Sequence, residues 1–338
     1  MLHTRSTGGL FNLSRLRAKT KRVLIHELLY ADDAALVAHS EVRLQNLCER
    51  FATVCNDFSM TINLKKTVVM SLGTSSPPRI LINVSPLNVV DKFSCLGSVV
   101  NCSNNLDDEI NQRIGKASTN FGRLSSRVWK NHHLTIKLKI RVYTTCILSV
   151  LLYSSETWCR YCCQENWVNA FHFRCLRSIL VVLWRDHVPN STILHLTGSY
   201  DLTTIIRQQR LRWLGHVHCM EDGHLPKDIL YGEFYRTPQR TGRPKLRHKD
   251  VIKRDVAKFH ISPQLCETLA ADRNRWHASL SYDYSLSAMN YAKKCRSTEL
   301  IVVIDEMGHD GDDVSECSPC EVQFKLVSSQ LIQAVSFR

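Results

Sequence analysis

No stretch of this 338-residue sequence is apolar for long enough to cross a bilayer. The longest run, Cys146-Ile147-Leu148-Ser149-Val150-Leu151-Leu152-Tyr153, is far short of the ~20 residues a membrane helix needs, so no membrane partner is expected. No apolar signal region follows Met1-Leu2-His3-Thr4-Arg5-Ser6, and no secretion is expected. The fourteen cysteines fall into no disulfide framework, which points to a reducing, intracellular compartment, nuclear or cytoplasmic. Paired metal-knuckle spacing is also missing. Cys159-Arg160-Tyr161-Cys162-Cys163 has no second pair at finger spacing, and Cys317-Ser318-Pro319-Cys320 has no histidine after it. Acid is absent from the first 26 residues, where Arg5, Arg15, Arg17, Lys19, Lys21 and Arg22 stand with no Asp or Glu before Glu27.

What the chain does have is positive charge and apolar mass. The formal net charge is +13, which favours a polyanion partner, and 44% hydrophobic residues are enough for roughly two or three domains. The charge is unevenly spread. Arg236, Arg240, Arg243, Lys245, Arg247, Lys249, Lys253, Arg254 and Lys258 are opposed within their segment only by Asp250 and Asp255. Pro238, Gly242 and Pro244 make the first half of that segment extended, and Val251, Ile252 and Val256 predict a short basic helix in the second. Such a segment neutralises phosphates without reading bases, although a solvated charge run has the same composition. From Glu299 to Glu321 the balance reverses, with eight acids and no Lys or Arg, around a candidate strand at Leu300-Ile301-Val302-Val303-Ile304.

The chemically most suggestive stretch is Leu28-Leu29-Tyr30-Ala31-Asp32-Asp33-Ala34-Ala35-Leu36-Val37. Two short apolar runs flank two adjacent acids, the pattern of a strand, a tight turn and a returning strand. Val23, Leu24, Ile25, Leu28, Leu29 and Tyr30 on one side and Ala34, Leu36 and Val37 on the other are expected to be buried, with the acids at the exposed tip. Adjacent carboxylates repel unless a cation lies between them and a partner, and hard oxygen donors suit Mg²⁺. An ordinary Asp-rich turn is the competing reading.

Tyr30-Ala31-Asp32-Asp33, followed by Ala34-Ala35-Leu36, resembles the Tyr-x-Asp-Asp box of reverse transcriptases of the LINE-type, non-LTR retrotransposons. Thr61-Ile62-Asn63-Leu64-Lys65-Lys66-Thr67 resembles the next palm segment, and Phe93-Ser94-Cys95-Leu96-Gly97-Ser98 the primer-gripping hairpin. Leu151 to Trp158, Arg210 to Val217 and Gly242-Arg243-Pro244-Lys245 resemble stretches that follow the polymerase domain in these elements, so the likeness runs from about Gly8 to Trp276. It implies that Asp32 and Asp33 hold Mg²⁺ as catalytic ligands and that Lys66 lies near the nucleotide phosphates. It also implies that Phe93, Leu96 and Gly97 meet the primer end, and that RNA and DNA are partners, with oligomeric state open. The family's first palm strand, which brings a further carboxylate, has no counterpart here, nor have its fingers or endonuclease. Two-metal phosphoryl transfer needs carboxylates from two places, so the chain alone is expected to be inactive.

The expected fold is α+β: a partial palm over residues 1–100, a helical thumb or connector over 101–200, a basic helical region over 201–296 and an acidic, divergent tail over 297–338. Ser40 is placed to cap a helix carrying Leu44, Leu47, Cys48, Phe51, Val54, Cys55 and Phe58 on one face. Val68 to Leu72, Arg79 to Val84 and Pro86 to Val90 read as strands of one small sheet, whose open edge needs covering. Asp107-Asp108-Glu109 starts a helix with Ile110, Ile114, Ala117, Phe121, Leu124 and Val128 in a stripe and Arg113, Lys116 and Arg123 on other faces. Leu134 to Trp158, with Lys137, Lys139 and Arg141 early, and Trp167 to Trp184 follow as further helical stretches, and the basic faces of these helices read either as running along a template duplex or as plain solvated faces of a bundle. Three functional readings remain at this point: a truncated RNA-directed DNA polymerase, a sequence-independent nucleic-acid binder built on the Arg243, Lys245, Arg247, Lys249, Lys253 and Arg254 segment, and a retroelement relic without a selected role.

Overall fold

The computed structural model describes residues 2–5, 10, 20–23, 25–73, 77–234, 246–281 and 332–337. In chain order the strands are β1 (Leu2–Arg5), β2 (Thr20–Val23), β3 (Glu27–Tyr30), β4 (Asp33–Ala38), β5 (Val68–Leu72), β6 (Leu81–Ile82), β7 (Ser85–Pro86), β8 (Asn88–Val89), β9 (Lys92–Cys95), β10 (Ser98–Asn101), β11 (Glu233–Phe234) and β12 (Ile332–Phe337). The helices are α1 (Glu41–Asp57), α2 (Asp107–Arg123), α3 (Ile136–Val142), α4 (Ser149–Leu151), α5 (Cys162–Leu180), α6 (Asn190–Thr197), α7 (Leu202–His218), α8 (Leu225–Tyr231), α9 (His248–Lys258) and α10 (Cys266–Ala271). Strands precede helices for most of the chain, an α+β order.

The main sheet has the order β3-β4-β12-β5-β8. β12 lies between β4 and β5, antiparallel to both, with Val335 opposite Leu36 on one side and Val69 on the other. β4 and β5 therefore run parallel to each other, with α1 as their crossover and one strand's width between them. α1 begins where Ser40 Oγ accepts from the Arg43 N–H, and it buries Leu44, Cys48, Ala52 and Cys55. With Ala34, Leu36, Ala38, Val69, Ile80, Ile82 and Leu87, these residues form the core of the sheet unit. Val54 and Phe58, expected on the same face, are 48% and 73% exposed, because the apolar stripe outlasts the sheet beneath it.

The expected strand through Val84 breaks into a hairpin. Asn83 and Val84 take positive φ of 48° and 68°, so Ile82 turns back onto Ser85, and β8 instead pairs in parallel with β5. The acid hairpin is also half of what its pattern promised. β4 alternates inward and outward, but Leu28, Leu29 and Tyr30 of β3 are 45%, 62% and 67% exposed. β3 is an edge strand whose one neighbour is β4, so its apolar residues have nothing to pack on.

A separate three-stranded sheet, β11-β1-β2, joins residues 2–5 and 20–23 to Glu233–Phe234. Leu10 belongs to a core with Leu211, Leu214, Ile252 and Trp276, and its N–H donates to Glu267 Oε1 at 2.6 Å. A third core, the largest, joins α2 to α7 through residues including Ile110, Tyr143, Leu151, Trp158, Phe171, Leu176 and Ile206. α7 supplies Leu202 and Ile206 to that core and Leu211, Leu214 and Val217 to the one containing Leu10. The helix expected over Leu134 to Trp158 is broken into α3, a wide π-type turn at Tyr143–Leu148, α4 and a 3-10 turn at Ser155–Thr157. The helix expected from Trp167 begins at Cys162 and ends at Val181, whose φ of 58° stops it.

Candidate nucleic-acid interface and acidic hairpin

Tyr30 pairs directly with Asp33, so Ala31 and Asp32 form the two-residue turn between β3 and β4. Ala31 carries a φ of 51°, a left-handed conformation that costs a non-glycine residue about 1 kcal/mol or more. The turn presents Asp32 to solvent and leaves Asp33 half-buried at the first position of β4. Lys66 follows a turn organised by Asn63, whose carbonyl accepts from the Lys66 and Thr67 N–H groups at 3.0 Å and whose Oδ1 accepts from Lys65 N–H. Ser336 of β12 pairs with Ala35 on one side and Val68 on the other. Asp33 opens β4 and Lys66 closes the turn that leads into β5, so both stand at the end of the sheet where these two parallel strands begin.

Phe93–Ser98 forms the expected hairpin, with Cys95 paired to Ser98 and positive φ at both Leu96 (47°) and Gly97 (84°), as a type I′ turn requires. The helices grip it from below. Tyr153 Oη donates to Leu96 O at 3.0 Å, Arg113 Nη2 donates to Gly97 O at 2.6 Å, and Val99 N–H donates to Glu109 Oε2 at 2.6 Å. Arg113 and Glu109 are ion-paired at 2.7 Å and buried, and the guanidinium lies 4.5 Å above the Tyr153 ring. Arg113 therefore does not face a template as its place outside the apolar stripe suggested. Leu96 keeps 42% of its surface exposed, and Phe93 is partly buried.

A pair of Mg²⁺ ions needs carboxylates from two places. Asp32 and Asp33 come from one turn, and no group of three His, Cys, Asp or Glu side chains with metal-site geometry exists among the described residues. Of the two strands beside β4, β12 (Ile332–Phe337) carries no acid, and β3 carries Glu27, which pairs with Leu36 at the end of the hairpin away from the turn. The residues described do not fit a two-ion site.

In the basic segment, Arg243 and Lys245 lie outside the described residues. Arg247 makes a two-pronged contact with Asp250, at 3.0 and 3.2 Å. Lys249 turns inward, its Nζ donating to the carbonyls of Tyr231 and Gly232 at 3.2 and 3.1 Å. Lys253, Arg254 and Lys258 remain exposed along α9. Asp255 is buried on the other side of the helix, bonded to Arg210 and 3.4 Å from Arg207. Both acids of the segment are thus held by arginines, and the outer face of α9 presents cations. Among the earlier basic residues, Lys137 and Arg141 are exposed, but Lys139 is buried and donates to Trp129 O at 2.9 Å. A lysine amid an apolar stripe was the available signal for that.

Two of the stretches that resemble post-polymerase sequence meet in one structural node. Arg210 is 1% exposed, and besides Asp255 it donates to Trp158 O at 2.7 Å and Glu156 O at 3.3 Å. His248 Nε2 donates to the same Glu156 carbonyl at 3.1 Å, and burial lowers its pKa to about 4. Gly215 lies flat under Trp276, whose Nε1 donates to Leu211 O, and a Cβ at Gly215 would come within 2.5 Å of the indole. These motif residues fasten helices together. His172 is likewise structural: Tyr143 Oη donates to its Nδ1 at 2.8 Å, its Nε2 donates to Tyr200 O, and burial lowers its pKa to about 4. Cys159 and Cys175 are buried thiols pushed up to about 12 by desolvation. His218 bonds Tyr231 Oη at 2.7 Å, and the Cys219 thiol donates to Ala270 O. No described helix is long and apolar enough to cross a membrane.

The chain is 23% identical over 262 residues to an uncharacterized transposon-derived protein of Caenorhabditis elegans, a similarity that spans 74% of this chain and 93% of the nematode protein. No family model matches the chain, and no solved structure does.

Proposed function

We propose that this chain is a transposon-derived protein, descended from a LINE-type reverse transcriptase, that binds RNA and DNA without sequence preference and does not polymerise on its own. The nematode similarity supports the transposon-related origin. The observation that carries the binding reading is the outer face of α9, where Lys253, Arg254 and Lys258 are exposed while Asp250 and Asp255 are held by Arg247, Arg207 and Arg210. A cationic face with one acid buried and the other ion-paired gains affinity by releasing counterions from phosphates, which makes binding salt-dependent and indifferent to sequence. Duplex binding measured against salt is the test. Changing Lys253, Arg254 and Lys258 together to alanine should weaken binding to all sequences alike and flatten the logarithmic slope by about one per lost contact. Equal affinity of parent and triple variant at every salt concentration would remove α9 as the interface.

Polymerase descent has its own support in the placement of Asp33 and Lys66 at one end of the sheet. Absence of catalysis follows from two carboxylates on one turn where in-line displacement needs a clamp from two sides. Primer extension on an RNA template with Mg²⁺ should give no incorporation. Incorporation that vanishes when Asp32 and Asp33 both become Asn would show that another acid completes the site.

A further inference from the structure

The outer face of α5 and the turn after it combine exposed aromatics with cations in a way the α9 surface does not. Trp184 is 78% exposed, and Val181 and Leu183 beside it are 73% and 61% exposed. Floppiness does not explain this presentation, because the turn is tied at three points. Leu183 N–H donates to Asp186 Oδ2 at 2.7 Å, Arg177 Nη2 donates to Val188 O at 3.0 Å, and Val181 reverses the chain in a left-handed conformation. Asp186, the acid of the turn, is exposed and accepts that backbone N–H through one oxygen, which holds the turn and leaves the carboxylate charge in place. The Arg185 guanidinium lies 5.7 Å over the Trp184 ring. Alongside, an open groove of about 520 Å³ is lined by Ala170, Phe173, Arg174, Arg177, Ser178 and Val182 with Asn190 at its end. Arg174 is exposed at that groove with its guanidinium 5.7 Å over the Phe171 ring, and it forms no ion pair among the described residues. Trp167, one turn before Ala170, is 41% exposed.

An exposed indole on a tied turn, with Arg185 over its ring and further arginines in the adjoining groove, matches one ligand chemistry closely. Unstacked bases offer π-faces to tryptophan whatever their identity, and the connecting phosphates offer anions to arginine. A duplex cannot use the indole, since its bases already stack on each other. An acidic peptide would satisfy the arginines and leave Trp184 uncovered.

We propose that the α5 groove and the Trp184 turn form a single-strand nucleic-acid site, with a base stacked on Trp184 and backbone phosphates on Arg174 and Arg185. This surface is separate from α9 and would stand if the α9 reading fell. The test uses the whole chain with a labelled oligothymidylate and with a labelled duplex, both read by anisotropy across a salt series. Trp184→Ala should weaken single-strand binding by about 5- to 150-fold, the range that loss of one base-stacking contact gives, and leave duplex binding unchanged. Trp184→Phe should recover most of the loss, which separates stacking from damage to the turn. Arg174→Ala and Arg185→Ala should each reduce the single-strand salt slope by about 0.7. The α9 triple variant should lose duplex affinity whether or not this site exists. Equal single-strand affinity of the parent and Trp184→Ala at every salt concentration would overturn the proposal.

Discussion

The sheet unit around the acid hairpin and the helical region after it differ most in where they place charge. In the sheet unit, Leu28, Leu29, Tyr30, Phe58, Met60 and Val84 are all more than 40% exposed, and its acids stand at a turn. In the helices, Tyr143, Ile147, Leu151, Val168, Leu176 and Ile206 are fully buried, and so are charged residues, Arg210 and Asp255 foremost. The sheet unit thus keeps its adjacent acids at a turn, and the helical unit commits Arg210 and Asp255 to its interior. Chemical suggestiveness in a motif and structural importance in the fold are different properties of this chain.

The widest gap between the regions should appear when one acid is removed from each. Asp255→Ala strands Arg210 in the interior and should cost about 3–5 kcal/mol, whereas Asp32→Asn at the exposed turn should stay within about 0.5 kcal/mol. Denaturant melts decide this, and comparable losses would erase the contrast. Acid should act on the same side of the molecule. His172 and His248 are held neutral by burial, each with a pKa lowered from 6.5 to about 4. The unfolded chain takes up those protons first as pH falls, so the stability they contribute is complete above pH 6.5 and is lost between there and about 4. The loss is on the order of 3 kcal/mol for each histidine, and a melting temperature flat over that window would contradict it.

Gly215→Ala, which drives a methyl into the Trp276 ring, should cost about 1–3 kcal/mol, and near-zero cost would mean that the indole moves freely. Removing residues 332–338 should leave the helices alone and deprotect β4 and β5, because β12 supplies a ladder to each. Hydrogen exchange reads this amide by amide, and unchanged protection in β4 would show that β12 contributes nothing to the sheet. The smallest effect has the opposite sign. Arg160 is buried with Nε and Nη1 lacking hydrogen-bond partners among the described residues, and its counter-charges are Glu165, at 3.7 Å, and the more distant Asp255. Its pKa is lowered to about 10 by desolvation, with Arg210 adding repulsion. Arg160→Met should raise stability by about 1 kcal/mol, in contrast to the same change at the fully paired Arg210.

Much of the local structure was legible because its signals are local. The cap at Ser40, the acid-rich start of α2, the basic helix containing Val251, Ile252 and Val256, and both two-residue hairpins follow from residue type and spacing. The candidate site was legible as residues but less so as geometry. Asp32, Lys66 and Leu96 are exposed, yet Lys249 faces inward and Arg113, read as a surface residue, anchors the Phe93–Ser98 hairpin. Nothing local tells a lysine that ends on a carbonyl from one that ends in water. Trp184 passed unnoticed for a similar reason: an apolar stretch running on from a helix reads as more helix until the left-handed Val181 ends it.

Residue type and local spacing were enough for the starts of α1 and α2, the two-residue turns at Ala31-Asp32 and Leu96-Gly97, the surplus of positive charge and the pairing of two acids at one tip, since each depends on residues within a few positions of one another. Only the tertiary structure decided that Ile332–Phe337 enters the sheet between β4 and β5, that Arg210 reaches Asp255 across 45 positions, and that residues 2–5 pair with Glu233–Phe234. Those pairings join segments whose own patterns are satisfied by many partners. The choice among partners is made by which assembly buries the most apolar surface while leaving the fewest buried polar groups unpaired.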